Sequence, residues 1–142
     1  MSVPRRPSGA PPPHTAGLNG QEVALLPLAE RVTSSYDAEY PDERRRYGDA
    51  GREWCLHDNL HLLAWAFGGY AGTIDFEAQA LWLARVLGSR GYPTDRLVRD
   101  LEICAEVVSA AGIADVTGVA EILHGGAVAV AQAHRQAATD EP

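Results

Sequence analysis

Residues 53–65 read EWCLHDNLHLLAW, from Glu53 to Trp65. Wound into a helix at about 100° per residue, this stretch sorts itself by face. Leu56, Leu60, Leu63 and Phe67 share one side. Trp54, Asp58, His61 and Trp65 share a second, with His57 at its edge, and Cys55, Leu62 and Ala66 take the third. A helix that is apolar nearly all round is surrounded by other helices or lies at an oligomer interface. The stretch therefore predicts an all-α fold with this helix at its centre. Its polar residues must then find partners, because a buried polar group left unsatisfied costs about 1–3 kcal/mol.

The flanking sequence supplies the other helices. Val23, Leu26, Leu28 and Val32 line a first helix over roughly Gln21–Tyr40, ended by Pro41; Pro27 offers a later start. A short helical piece is expected over Asp42–Tyr47, broken at Gly48. The second main helix runs from about Asp49 to Phe67 and closes at Gly68-Gly69, with Gly72 beyond. Thr73 or Asp75 caps a third, whose stripe is Phe76, Ala80, Leu83 and Leu87. Thr94 caps a fourth, striped by Leu97, Leu101, Cys104 and Val108. Asp115 caps a fifth, bearing Val116, Val119, Ile122, Leu123 and Val130. Gly125-Gly126 kinks this last helix or admits a neighbour closely. No segment alternates with period two. The expected fold is a five-helix bundle, with globin-like orthogonal packing as the alternative. At the level of fold class this resembles globin-like sensor domains, which assigns no residue.

Residues 1–20 hold five prolines and few apolar side chains. They cannot bury enough surface to offset their ordering entropy, so they read as a disordered leader. Residues 21–136 read as one helical domain and 137–142 as a polar tail. The chain has 142 residues, 46% of them hydrophobic, which suits one domain with its own core.

Composition excludes several functions. A net charge of −7 argues against nucleic acid as a partner, and Arg44-Arg45-Arg46 reads as a solvated helix face. The chain contains no lysine, which removes a Schiff-base lysine and a Walker-type phosphate loop. There is no Gly-x-Ser-x-Gly and no His-Glu-x-x-His. The glycines of AFGGYAGT follow a helix, not a strand, and read as a helix-ending turn. Cys55 and Cys104 lack C-x-x-C spacing and read as small core residues of a reduced, cytoplasmic protein. No apolar run reaches the roughly 20 residues needed to span a bilayer.

The chemistry-bearing residues are those of the opening stretch. In one reading, Asp58 and His61 hydrogen-bond to neighbouring helices and fix the packing. In a second, Trp54, His57, Asp58, His61 and Trp65 line a small-molecule site, since aromatic walls with a few polar groups make pockets. In a third, His57 and His61, four apart, share a metal ion, or the helix holds haem. Asp58-x-x-His61 and Glu121-x-x-His124, with Glu30 and Glu102 or Glu106, further suggest a two-metal bundle site. Five histidines among 19 acids make such pairs common by chance, however. The metal and the cofactor stay unassigned at this level. Trp82 lies one place off its stripe, beside Arg85 and Tyr92, and reads either as an exposed protein contact or as an edge of the core. With no catalytic frame and abundant apolar helix surface, the leading expectation is a non-enzymatic regulatory or protein-interaction module that dimerises. The alternative is a small-molecule, haem or metal sensor centred on His57 and His61.

Overall fold

Asn19 and Gly20 both take positive φ, 48° and 84°, and turn the chain back on itself. Two consecutive positive φ values are what a two-residue hairpin turn demands, and Asn-Gly meets them at least cost. The strands either side, β1 (Thr15–Leu18) and β2 (Gln21–Ala24), pair antiparallel with Leu18 opposite Gln21 and Thr15 opposite Ala24. Leu18 and Val23 are the large apolar residues of the two strands, and both are buried in the core. The computed structural model describes residues 11–140. Within that range the disordered-leader reading of 1–20 is corrected, because residues 15–20 are held by the hairpin ladder and by burial of Leu18; residues 1–10 lie outside the described range.

Five helices follow: α1 (Leu25–Glu39), α2 (Asp42–Ala71), α3 (Phe76–Ser89), α4 (Thr94–Ala110) and α5 (Thr117–Asp140). The all-α five-helix fold is as the periodicity predicts, with the hairpin as an addition. α1 begins at Leu25 rather than Gln21, because residues 21–24 belong to β2. The Leu25 N–H instead donates to the His14 carbonyl at 2.7 Å, tying the helix start to the hairpin. Pro27 sits in the first turn, where its missing N–H has no intrahelical partner to lose. Leu25, Leu28, Ala29, Val32, Thr33 and Tyr36 then make one buried face.

α2 is two helical pieces joined at Gly48, whose φ of 67° and ψ of −161° are not helical. The short Asp42–Tyr47 piece and its break are as expected from sequence. The longer piece outruns Gly68-Gly69 and ends instead at Gly72, whose N–H returns to the Gly68 and Gly69 carbonyls. Asp75 caps α3 through a 3.1 Å bond from the Ala78 N–H, while Thr94 and Asp115 do not act as expected: α4 has Pro93 at its cap position, and α5 starts two residues beyond Asp115. Gly126 lies where a methyl group would overlap the Phe76 ring, so α3 and α5 pack closely there and α5 runs on through it as one helix. The helix also continues through residues 137–140 of the polar tail, which are exposed.

α5 packs most extensively on α4, and also on α3 and α2; α1 packs on α2 and α4. One continuous core results, with Leu62, Leu63, Ala66, Leu101, Cys104, Val108, Val119 and Leu123 almost wholly excluded from solvent. Among the described residues, no helix is long and apolar enough to cross a membrane.

Candidate functional site: an imidazole–indole ladder on α2

Between Gly51 and Asp58 every residue of α2 is only partly buried; full burial begins at Asn59. α2 is therefore not covered on all sides. Leu60, Leu62, Leu63, Ala66 and Phe67 face the core, and the side bearing Trp54, His57, His61 and Trp65 stays half open to water. The spacing of three, four and four residues keeps these rings stacked along one stripe. Their centres step regularly: Trp54 to His57 is 5.1 Å, His57 to His61 is 4.7 Å, and His61 to Trp65 is 5.4 Å. Trp65 then meets Trp82 of α3 edge to face at 6.5 Å. The Trp82 residue is 49% exposed, as its place off the α3 stripe suggests.

The structure thus brings Trp54, His57, His61 and Trp65 into one row, with Asp58 beside it. The Asp58 carboxylate faces His57 Nδ1 at 3.3 Å on the same helix. This overturns the reading in which Asp58 and His61 bond to neighbouring helices. Among the described residues His61 has no hydrogen-bond partner, and its ring nitrogens are not sealed from solvent, nor is Nε2 of His57. Partial burial holds the His61 imidazole below its ordinary pKa, helped by the neighbouring His57 and opposed by Asp58. Two open, shallow concavities lie elsewhere, one against Glu30, Arg31 and Ser34 and one on the hairpin.

The two-metal reading does not survive. Glu121 and His124 both point to solvent, Glu30 is exposed, and Glu102 and Glu106 pair with Arg99. Among the described residues no group of three or more His, Cys, Asp or Glu side chains could hold a metal ion.

A second polar set lies on the opposite, buried face of α2. The Asn59 amide donates to Thr33 Oγ1 of α1 at 3.0 Å and to Cys55 Sγ at 3.5 Å. The Cys104 thiol of α4 points at Asn59 Oδ1 from 4.0 Å. Asp100 sits beside them, 7% exposed, with one carboxyl oxygen unpartnered. Burial first, then the charges of Asp58 and Glu43, hold the Asp100 carboxyl well above the usual range, against a hydrogen bond from Asn59. Burial likewise raises both thiols. Cys55 and Cys104 are free. Next to this set, Glu43 gathers three donors onto one oxygen: the Tyr36 hydroxyl at 2.6 Å, the Tyr92 hydroxyl at 3.1 Å and Arg96 Nη1 at 3.0 Å. The two hydroxyls also touch each other. Arg96 further reaches Asp42 and lies over the Tyr40 ring. This latch fastens the Asp42–Tyr47 piece of α2 to α1 and α4.

Sequence reasoning missed both inner sets. A usable signal existed: Asn59 lies on the same face as Cys55, Leu62 and Ala66, and Asp100 falls inside the Leu97–Leu101–Cys104 stripe. A polar residue inside an apolar stripe needs a partner on a facing helix. No family model, curated protein or solved structure matches the chain.

Proposed function

We propose that the chain is a non-enzymatic helical interaction module of the cytoplasm that dimerises through the ladder face of α2 together with Trp82. The observation that carries this reading is the continuous strip of rings from Trp54 to Trp82, contributed by two helices and left half open, with the 49% exposed Trp82 at its end. Tryptophans in such a strip remove much apolar area from water for little rotamer entropy, which is why they anchor interfaces.

A second copy of the chain suits the strip because a two-fold contact pairs a surface with itself. The exposed Arg44, Arg45 and Arg46 precede the ladder, and the exposed Asp75 and Glu77 follow it, at comparable separations along the chain. Arg44 is held by Asp49 and the three arginines lie across the Gly48 break from the ladder, so in an antiparallel pair it is Arg45 and Arg46 that would approach Asp75 and Glu77 of the second copy. Rim charges arranged in this way favour one orientation and speed encounter.

Light scattering coupled to size exclusion on untagged protein tests the reading. The expected result is a dimer that Trp82→Ala converts to monomer at the same concentration, with unchanged helical circular dichroism. A monomer across a wide concentration range counts against it.

A further inference from the structure

We propose that His57 and His61 form one half of a site for a borderline divalent transition-metal ion, Zn²⁺ or Cu²⁺, which the same pair from a second copy completes. The inference uses the self-association face described above and adds a ligand to it.

An ion bonded to two imidazole nitrogens at about 2.0–2.1 Å stands about 3.2 Å from each ring centre, so cis to tetrahedral angles place the centres about 4.5–5.2 Å apart. The His57 and His61 centres are 4.7 Å apart. Residues four apart on a helix reach this spacing from one face.

The donor atoms are also in order. His57 Nδ1 faces the Asp58 carboxylate at 3.3 Å, so the proton sits on Nδ1 and the Nε2 lone pair is left for an ion. A carboxylate behind a ligating histidine fixes its tautomer and raises its basicity. The His61 nitrogens are without a partner among the described residues and reach solvent. Trp54 and Trp65 flank the pair at 5.1 and 5.4 Å and limit the freedom of the two rings. Imidazole donors select copper, nickel and zinc over magnesium or calcium, and the chain's charge of −7 favours a cation.

One chain cannot finish the site. Among its described residues no third His, Cys, Asp or Glu joins the pair as a ligand set. Zn²⁺ in structural sites takes four protein ligands. Two ladders laid antiparallel across a two-fold axis supply four imidazoles to one ion.

The test uses the full, untagged chain stripped with a chelator and then titrated with zinc chloride or copper(II) sulfate. The expected results are one ion bound per two chains, and a scattering mass that moves to the dimer at chain concentrations where metal-free protein is partly monomeric. The copper spectrum should show nitrogen coupling from imidazole. His61→Phe, which keeps an aromatic ring in the row and removes its donors, should weaken apparent affinity at least tenfold; His57→Gln should do the same, and Asp58→Asn should weaken it severalfold. Binding that none of these substitutions alters, or one ion per chain with unchanged mass, overturns the proposal. The metal-free mass reports on the self-association reading alone: a metal-free dimer that Trp82→Ala disrupts, combined with no response to either metal, keeps that reading and discards this one.

Discussion

The two long faces of α2 handle polar residues in opposite ways. On the outer face, His57 and His61 keep ring nitrogens in contact with water, and the rings of the row support one another. On the inner face, Asn59 spends its amide on Thr33, Cys55 and Cys104; Thr33, Asn59 and Cys104 are closed to solvent and Cys55 is partly buried. The same helix thus carries a locked set that specifies how α1, α2 and α4 meet, and an open set that stays in contact with water. Burial separates the two roles: a polar group without water must be satisfied internally, whereas one at the surface can exchange water for a partner.

That contrast breaks most readily on the inner side. Asn59→Ala removes the amide that bridges three helices, leaves Thr33 and Asp100 without it, and opens a void. The expected loss is about 2–4 kcal/mol in urea unfolding at neutral pH, with the slope m unchanged. The same substitution logic on the outer side should barely register.

Asp100 gives a smaller effect of opposite sign. Its carboxyl is raised in the fold, chiefly by burial. Below the unfolded value of about 3.9 both states are protonated and the fold bears no penalty. As pH rises above that value the unfolded chain ionises while the buried carboxyl resists, so stability falls with pH until the folded pKa is reached. Asp100→Asn should remove this fall and stabilise the protein by about 1–3 kcal/mol at pH 8, with little change at pH 4. Thermal melts across that range check both the sign and the window.

Tyr92→Phe deletes one hydroxyl from the latch while Tyr36 and Arg96 still hold Glu43. The expected cost is about 1 kcal/mol. Amide hydrogen exchange should localise it to the Asp42–Tyr47 piece ahead of Gly48. Smallest of all, His61→Phe should change unfolding stability by no more than about 0.5 kcal/mol, because the imidazole is half exposed and makes no hydrogen bond to lose. A large loss there would place His61 with the inner set.

Much of the fold was legible in the sequence. The stripes of α3 and α4, the break at Gly48, the Asp75 cap and the close approach at Gly126 all follow from spacing and small residues. The hairpin escaped because its strands are only four residues long and follow a proline-rich run, so alternation had no room to show. Asn19-Gly20 between Leu18 and Val23 was its one strong signal. The opening stretch identified the ladder residues but overstated their burial. Apolar side chains on every face say what a helix can cover, not how many neighbours it has. Asp100 was legible as a polar residue inside the Leu97–Leu101–Cys104 stripe, but its partner was not, because that depends on which helix faces α4.

The most direct test of the open face is the mass of the untagged, metal-free protein by light scattering across a hundredfold range of concentration, alongside Trp82→Ala. The expected result is a dimer for the native chain that falls to monomer on dilution, and a Trp82→Ala variant that is monomeric throughout with its helical content intact. A native chain that is monomeric at every concentration, or a Trp82→Ala variant that dimerises equally well, would contradict the assignment of this face to self-association.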